Sequence, residues 1–337
     1  MKTVGYYAPG AIDRQDSLVD IEQPAPTPGP RDLLVRVKAV SVNPIDTKVR
    51  ASATPAQGEA RVLGWDAAGV VEAVGAAVTL FRTGDEVFYA GTLKRPGSNA
   101  ELHAVDERIV GHKPRSLAWD AAAALPLTAV TAWELLFDRM RAPFGDKTTG
   151  GVLLVIGGAG GVGSILIQIA RLLTGLTVVA TASRPETIAW VRTMGAHHVI
   201  DHRKPLDEEL EAIGVGQADY VASLTASDRH LPAIVELIAP EGVMGLIDDP
   251  DTFDIMSLKR KSVTVCWELM YTRSLFETPS MVAQHRILEE VSALVDAGLL
   301  RTTMTRSEGP INAANLRKLH ALLESGQAIG KAVLAGF

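Results

Sequence analysis

One short segment constrains the fold of this chain more than any other part of its sequence. Residues 152–156, Val-Leu-Leu-Val-Ile, form an apolar run typical of a buried parallel strand, and the motif G-x-G-x-x-G follows at Gly158, Gly160 and Gly163. The largely apolar residues 164–173 then predict a covered helix. Strand, glycine turn and helix in this order begin a βαβ unit, which implies a parallel sheet with right-handed crossovers.

The glycine turn is suited to holding a pyrophosphate. Glycine permits a tight turn in which main-chain N–H groups approach phosphate oxygens, and the N-terminus of the following helix carries roughly half a unit of positive charge. We therefore predict that a dinucleotide cofactor binds at Gly158, Ala159, Gly160, Gly161, Val162 and Gly163. The alternative is a structural turn in an unrelated α/β fold.

The end of the next strand indicates which dinucleotide is bound. NAD-dependent enzymes usually place Asp or Glu about 20 residues after the glycines, where it holds the ribose 2′-hydroxyl. Here the strand ends at Ser183 and Arg184, and no acidic residue lies between Gly163 and Glu186. An arginine and a hydroxyl bind a 2′-phosphate that a carboxylate would repel, so we predict NADPH, unless Arg184 merely caps a solvated turn. His202, after the third strand, is a further candidate for the adenosine end, with a surface loop as the alternative.

The character of the sequence changes near residue 125. Before it, short β-like runs are separated by Pro- and Gly-rich turns, a pattern typical of a compact antiparallel barrel or folded sheet. After it, strands and helices alternate up to about residue 270, and the last stretch of the sequence no longer shows this alternation. We predict a nucleotide-binding domain over 126–270, and a second domain formed by 1–125 together with 271–337.

Hydrophobic patterns and turn residues also predict the bounds of individual strands and helices. We expect strands at 33–42, 67–74, 86–89, 100–105, 152–156, 177–182, 199–201, 220–223, 243–247, 262–267 and 332–334. We expect helices at 164–173, 185–194, 231–239, 281–297 and 313–323.

Composition and charge exclude several classes of function. The net charge is -6 and no cluster of Lys and Arg is present, which argues against a nucleic-acid partner. The single cysteine, Cys266, rules out a disulfide within the chain and a zinc site built from cysteines. The apolar stretch 121–137 contains Pro126 and Glu134, so we interpret it as a buried helix and predict no membrane span. Residues 1–7 lack the apolar core of a signal peptide, so we expect a cytoplasmic protein.

Four segments of the chain carry motifs that are far more specific together than alone. They are Val42-Asn43-Pro44-Ile45-Asp46, residues 64–69 (Gly-Trp-Asp-Ala-Ala-Gly) continuing to Gly75, residues 81–87 (Phe-Arg-Thr-Gly-Asp-Glu-Val), and the glycine turn at 158–163. In this combination the chain resembles the medium-chain dehydrogenase/reductase superfamily, and within it the quinone oxidoreductases and zinc-type alcohol dehydrogenase-like proteins. The resemblance covers essentially the whole chain.

This resemblance implies an architecture and an assembly. The fold would be α/β, with a Rossmann doubly wound parallel sheet beside a GroES-like, β-rich catalytic domain and an NAD(P) cleft between the two domains. Members of the superfamily are usually homodimers or tetramers, and we expect a homodimer in which the strand at 262–267 is a candidate pairing edge. The following residues, up to Tyr271, would line the cleft or a subunit contact.

The resemblance also implies where zinc ligands would lie. In the zinc-dependent members the position of Asn43 is a cysteine, that of Trp65 is a histidine, and a second cysteine lies near Thr128. None of the three is present here, and a short loop between residues 90 and 100 replaces the four-cysteine lobe for structural zinc. Zinc prefers thiolate, imidazole and carboxylate ligands, so we predict that the protein holds no metal.

By family position, four residues are expected near the nicotinamide: Asn43, Asp46, Trp65 and Thr131. Asn43 would hydrogen-bond the substrate carbonyl, Thr131 would contact the ring or the ribose, and Trp65 would form an aromatic wall unless it only packs in the core. Lys331 matches a position where the family often contacts a cofactor phosphate, with a solvated lysine as the alternative.

The loss of zinc limits the chemistry. Without a Lewis acid to stabilise an alkoxide, oxidation of ordinary alcohols is disfavoured, whereas quinones and α,β-unsaturated carbonyl compounds accept hydride readily. We therefore predict a zinc-free, NADPH-dependent quinone or enone reductase. One alternative is a zinc-type alcohol dehydrogenase, and another is an NADPH-binding sensor or structural protein without turnover.

Overall fold

The chain folds as two compact units. The computed structural model describes residues 1–337. The first unit comprises Met1–Val130 and Tyr271–Phe337, and the second comprises Thr131–Met270. The first boundary thus falls after Val130 and not at residue 125. The main-chain N–H of Leu127 donates to the Asp66 carboxylate at 2.8 Å. This bond ties the start of the helix Pro126–Trp133 to the first unit.

The β-strands are named in chain order. They are β1 (Lys2–Tyr6), β2 (Val19–Glu22), β3 (Asp32–Ser41), β4 (Arg61–Val62), β5 (Ala67–Val74), β6 (Glu86–Tyr89), β7 (Leu102–Asp106), β8 (Val110–His112), β9 (Val152–Ile156), β10 (Thr177–Thr181), β11 (His198–Ile200), β12 (Ala218–Ser223), β13 (Ile238–Leu246), β14 (Thr264–Trp267), β15 (Met304–Ser307) and β16 (Lys331–Ala335).

The α-helices are named in the same way. They are α1 (Pro44–Ser52), α2 (Trp119–Ala123), α3 (Pro126–Trp133), α4 (Gly161–Leu173), α5 (Pro185–Thr193), α6 (Leu206–Ala212), α7 (Ser227–Leu237), α8 (Thr272–Leu275), α9 (Ala283–Asp296) and α10 (Ala313–Glu324). A π-helical segment, Glu134–Arg139, continues α3, and 3₁₀ turns occur at Glu107–Ile109 and Ile255–Lys261.

The first unit is built mainly from antiparallel sheet. Its larger sheet has the strand order β15-β16-β3-β5-β6-β8, with β7 also paired to β3, and a smaller sheet has the order β2-β1-β4. Along β3 the buried side chains of Leu33, Val35 and Val37 alternate with partly or fully exposed ones, as a sheet with one covered face requires. This is the β-rich domain that the resemblance implies, and the prediction is confirmed.

The second unit is a parallel sheet covered by helices. Its strand order is β11-β10-β9-β12-β13-β14, and every pairing in it is parallel. This is the 3-2-1-4-5-6 order of a doubly wound nucleotide-binding fold, so the Rossmann prediction is also confirmed. The order reverses at β9, and ligands of such sheets bind beyond the carboxyl ends of the strands at that point.

Two further features bear on the expectations from sequence. The helical stretch Trp119–Arg139 is long and apolar enough to span a membrane by composition, but 83% of its most apolar window is buried inside the protein, as in a core helix. The last strand of the parallel sheet begins at Thr264 and not at 262, because Ser262 adopts a left-handed backbone conformation (φ 52°) that ends the preceding 3₁₀ turn.

Candidate active site

The glycine turn lies in the second unit between β9 and α4. Gly160 is the N-cap of α4, and its N–H donates to the Gly157 carbonyl at 3.1 Å, which closes the turn. The Ser164 hydroxyl accepts a hydrogen bond from the Trp190 indole at 2.8 Å and so joins the first turn of α4 to α5. The N–H groups of the first turn of a helix have no acceptor within the helix, so they are available to an anion.

Two glycines of the turn serve different purposes. A Cβ atom on Gly163 would lie 2.5 Å from the Gly157 carbonyl oxygen and 2.7 Å from the Cα of Gly158, so the fold itself requires glycine there. A Cβ atom on Gly160 would meet no protein atom closer than 3.5 Å. Gly160 is therefore not required by packing, and the space beside it is open for a ligand that approaches the main chain.

The adenosine end of the predicted cofactor site is rich in guanidinium groups. Arg184, the N-cap of α5, is 35% exposed, and its side chain pairs with Glu186 at 3.1 Å. Arg203 pairs with Asp201 at 2.7 Å and donates to the Ser183 carbonyl at 2.9 Å. Both arginines thus border the main chain at the end of β10, where NAD-dependent enzymes usually carry an acid.

His202 lies in the same region, after β11. Its ring meets that of His230 edge to face, with centroids 6.3 Å apart. Burial lowers the pKa of His202, and the neighbouring Arg203 and Arg229 add to this effect while Asp201 opposes it. The ring is therefore mainly neutral at pH 7, and it would meet a ligand as a hydrogen-bonding or stacking group.

The first unit contains a buried polar cluster, which we call the Asp66 cluster: Asn43, Asp66 and Lys331. The Asp66 carboxylate accepts hydrogen bonds from the Asn43 amide at 2.9 Å and the Leu127 N–H at 2.8 Å, and it pairs with the Lys331 ammonium at 3.0 Å. The ammonium also donates to the Val42 carbonyl at 2.8 Å and to the Asn43 side-chain oxygen. All three side chains are almost completely buried.

Asp46 borders this cluster and holds two main-chain groups. Its carboxylate accepts the N–H of Asn43 at 2.8 Å and the N–H of Gly64 at 3.0 Å, which fixes the start of α1 against the segment before Trp65. Burial raises the pKa of Asp46 to about 7, and the negative charge of Asp66 adds to this, whereas the two main-chain donors and the Lys331 ammonium lower it. These contacts make Asp46 a positioning residue.

Trp65 and Tyr271 pack edge to face next to these carboxylates. Their ring centroids are 6.4 Å apart with an interplanar angle of 76°. Trp65 is buried, and its indole N–H donates to the Thr92 carbonyl at 3.1 Å. Burial raises the pKa of Tyr271 well above 10, and the charges of Asp46 and Asp66 add to the shift.

Comparison with known proteins identifies the family. Residues 29–115 match the alcohol dehydrogenase GroES-like domain, and residues 161–284 match the zinc-binding dehydrogenase family. A zinc-type alcohol dehydrogenase-like protein of Staphylococcus aureus is 40% identical over 337 residues, which is 99% of each chain. The chain belongs to the medium-chain dehydrogenase/reductase superfamily.

Two further relatives bear on this superfamily assignment. A Rhizobium etli protein named as a zinc-dependent alcohol dehydrogenase has a solved structure that covers 100% of this chain and 98% of its own, with 58% identity and a TM-score of 0.96. An NADPH-dependent alkenal/one oxidoreductase of Arabidopsis thaliana is 34% identical over 225 residues, which is 62% of this chain and 56% of that protein.

Zinc-dependent members of the superfamily raise the question whether this chain fits a zinc ion. Asn43 and Trp65 already bond within the protein, and the Thr128 hydroxyl donates to the Leu125 carbonyl at 3.1 Å. Amide, indole and hydroxyl groups do not make the thiolate and imidazole set that zinc prefers. No group of three or more His, Cys, Asp or Glu side chains is arranged to hold a metal ion. The residues present do not fit zinc.

An NAD(P) cofactor does fit the second unit, as expected for this superfamily. The open main chain at Gly160 and the first turn of α4 would receive the pyrophosphate. Ser183 and Arg184, at the end of β10, would receive the adenosine ribose. A nicotinamide cofactor supplies a hydride to an acceptor, or takes one from a donor.

The predicted catalytic residues fall into both units. Asn43, Asp46 and Trp65 lie together in the first unit, and their position near the nicotinamide stays a prediction. Thr131 is buried on α3 and belongs to the second unit. Lys331 requires a correction: its ammonium is buried and engaged with Asp66, Asn43 and Val42, so it is a member of the Asp66 cluster and not a free contact for a cofactor phosphate.

A second charged cluster was missed from the sequence. In the second unit, Arg139 bonds Glu268 at 2.7 Å and lies 3.6 Å from Glu134, and both carboxylates are fully buried. Burial raises the pKa of Glu268, and the negative charge of Glu134 adds to this. The sequence did contain a sign of this cluster, because Glu134 interrupts an apolar stretch and a buried charge needs a partner. The identity of that partner depends on the π-helical turn, which the sequence did not predict.

Proposed function

We propose that this protein is a zinc-free, NADPH-dependent reductase that transfers hydride to a quinone or to an α,β-unsaturated carbonyl compound. One observation carries the proposal. The three positions at which zinc-dependent members hold their metal are occupied by Asn43, Trp65 and Thr128, and the polar atoms of these side chains bond within the protein. Reduction of an activated acceptor is the chemistry of this fold that requires no Lewis acid.

The acceptor must stabilise the charge that the hydride brings. When a hydride adds to the β-carbon of an enone, the negative charge moves to the carbonyl oxygen, and a quinone oxygen takes it up in the same way. Such an oxyanion needs a hydrogen-bond donor and then a proton from water. Oxidation of an ordinary alcohol instead requires loss of its hydroxyl proton, and in zinc enzymes the metal stabilises the resulting alkoxide. The Arabidopsis relative, by its name, uses NADPH and acts on alkenals and alkenones.

The preference for NADPH rests on the end of β10. Arg184 and Arg203 border Ser183 there, and their ion-pair partners Glu186 and Asp201 hold the two guanidinium groups in place. A 2′-phosphate would bind between groups of this kind through charge-assisted hydrogen bonds, whereas a free 2′-hydroxyl would gain little. The chain therefore selects NADPH over NADH.

The chain's own residues orient and shield the reacting groups. The Asp66 cluster and Asp46 fix the main chain on both sides of Trp65, and the indole supplies an apolar wall that excludes water. Asn43 keeps a second amide hydrogen beyond the one given to Asp66, and Thr131 would contact the nicotinamide ring or ribose.

The proposal is tested by oxidation of NADPH in the presence of 9,10-phenanthrenequinone and of a simple enone, with NADH as the comparison. We expect acceptor-dependent loss of NADPH absorbance in protein that metal analysis shows to be free of zinc and that a chelator does not inhibit. Stoichiometric zinc with alcohol oxidation would contradict the proposal. Tight NADPH binding without turnover on any acceptor would favour a sensor or structural protein.

We also propose a homodimer formed through the edge of the parallel sheet. β14 is the terminal strand of that sheet, so one side of its main chain has no strand partner, and Trp267 at its end is 52% exposed. An open edge beside an exposed aromatic side chain is suited to pairing with a second copy about a two-fold axis. Light scattering should give a dimer, and Val265→Pro should shift it to a monomer.

A further inference from the structure

Tyr271 carries a buried hydroxyl group beside Trp65 and near the carboxylates of Asp46 and Asp66. Tyr271 is 2% exposed, and its hydroxyl has no hydrogen-bond partner in the protein. Its main-chain carbonyl, in contrast, accepts from the Leu275 N–H at 2.7 Å and from the Ser274 hydroxyl at 3.1 Å, so the backbone is held firmly. A buried polar group without a partner costs free energy, and one that persists in a native site calls for a functional explanation.

The nearby carboxylates do not act as acceptors for this hydroxyl. Asp46 takes the N–H groups of Asn43 and Gly64, and Asp66 takes the N–H of Leu127 together with side-chain donors of its own cluster. The phenol therefore lies beside two buried acids without bonding to either of them. Its ring position is set by the edge-to-face contact with Trp65.

Among the hydrogen-bond donors in this part of the first unit, the Tyr271 hydroxyl differs from the three others. The Asn43 amide donates to Asp66, the Trp65 indole donates to a main-chain carbonyl, and the Lys331 ammonium donates to the Asp66 cluster. Each of these three donor atoms thus has an acceptor in the protein. The Tyr271 O–H has none.

We propose that the Tyr271 hydroxyl donates a hydrogen bond to the carbonyl oxygen of the quinone or enone and stabilises the oxyanion that forms on it. This inference rests on the proposed function, because it assigns the donor for that substrate class. As the hydride bonds to the acceptor carbon, the π-electron pair moves onto the oxygen, which then takes a proton from water. Tyr271 keeps its own proton throughout, since its pKa lies well above 10.

The test replaces Tyr271 by Phe, which removes the hydroxyl and keeps the ring against Trp65. We expect kcat with an enone to fall about 100-fold, as for loss of one oxyanion donor elsewhere, while the Kd for NADPH stays unchanged. The loss should be smaller for electron-poor quinones, because their reduced oxygen is less basic and depends less on the donor. A merely structural tyrosine would give the same loss with every acceptor.

Tyr89→Phe is the matched control. Tyr89 is also a buried tyrosine of the first unit, but its hydroxyl bonds the His103 ring at 3.1 Å, and it has no part in the proposed site. We expect this variant to keep wild-type kcat with both acceptors. Unchanged kcat in Tyr271→Phe, or an equal loss with all acceptors, would overturn the assignment of Tyr271.

A binding measurement separates this inference from the proposed function. With NADP⁺ bound, 4-nitrophenolate carries an oxyanion like the one formed in the reaction, and its absorbance reports binding. We expect its Kd to rise at least about tenfold in Tyr271→Phe, which is the range of one charge-assisted hydrogen bond. Wild-type protein that binds the phenolate through Tyr271 but reduces no acceptor would contradict the proposed reaction alone. Equal Kd values would contradict the role of Tyr271.

Discussion

The glycine turn of the second unit and the Asp66 cluster of the first unit are both candidate binding machinery, but they are built differently. The turn offers main-chain N–H groups from one continuous segment, Gly157–Gly163, between a strand and a helix. The cluster joins side chains from Asn43, Asp66 and Lys331, which lie far apart in the chain. A site made of backbone depends on local conformation, whereas a site made of buried side chains depends on which partners the fold brings together.

The largest effect should follow from breaking the Asp66 cluster. Lys331→Met removes the buried ammonium and leaves the Asp66 carboxylate without its cation, so we expect the free energy of unfolding to fall by about 3–5 kcal/mol. Chemical denaturation followed by tryptophan fluorescence measures this. Lys318→Met, on the exposed side of α10, is the control and should change stability by less than about 0.5 kcal/mol. Similar values for the two variants would show that the cluster does not stabilise the first unit.

Alanine at two glycines should separate folding from cofactor binding within the turn. Gly163→Ala forces a Cβ atom against the Gly157 carbonyl, so we expect a loss of about 1–3 kcal/mol in the free energy of unfolding. In Gly160→Ala the Cβ atom comes no closer than 3.5 Å to any protein atom, so stability should stay within about 0.5 kcal/mol of wild type while the Kd for NADPH rises. Unchanged NADPH binding by Gly160→Ala would be evidence against a phosphate at this turn.

Two buried histidines of the first unit should each reduce stability in acid. Burial lowers the pKa of His320 to about 3 and that of His103 to about 4, and the unfolded chain binds these protons near pH 6.5. Below pH 6.5 these two side chains therefore bind more protons in the unfolded state than in the folded state, and their contribution to stability declines as pH falls. Both ring nitrogens of His320 are without partners, so His320→Leu loses no hydrogen bond.

Denaturation of wild type and His320→Leu at pH 7 and pH 5 measures this contribution. We expect the loss of stability between the two pH values to be smaller in the variant by about 2 kcal/mol. An identical loss in both proteins would mean that His320 takes up its proton in the folded state as well.

The smallest effect should be on cofactor choice. Arg184→Ala should raise the KM for NADPH about tenfold and leave the KM for NADH nearly unchanged, because only NADPH carries the 2′-phosphate. Steady-state kinetics with both cofactors measures this. Glu186→Gln is the matched control, since it removes the partner of Arg184 but keeps the guanidinium, and it should preserve the preference for NADPH. Equal effects of Arg184→Ala on both cofactors would refute the assignment.

The parallel sheet was largely predictable, because its signals are local. The apolar run of β9 and the helices α4 and α5 were expected close to their observed bounds, since hydrophobic pattern and glycine chemistry act over a few residues. Helix α1 was missed, although Asn43 before Pro44 is a recognisable helix start. Short strands such as β4 were missed as well, because two residues carry no periodic pattern.

The sequence allowed us to predict which residues of the candidate site lie together, but not how they bond to one another. The resemblance placed Asn43, Asp46 and Trp65 in one site, and the structure does bring them together. It did not show that the Asn43 amide and the Lys331 ammonium are already engaged with Asp66. It also did not show that Tyr271 is the donor without a partner, because hydrogen-bond satisfaction is a property of the whole surrounding structure.

The sequence by itself determined the two-part α/β architecture, the glycine turn and the absence of cysteine and histidine at the family's zinc positions, because residue type and spacing suffice for each. Only the tertiary structure decided that Lys331 is an internal counter-ion and that Asp46 holds two main-chain groups. The physical reason is that burial and pairing depend on residues distant in the chain, and the same side chain is a solvated charge or a buried one according to what the fold places beside it.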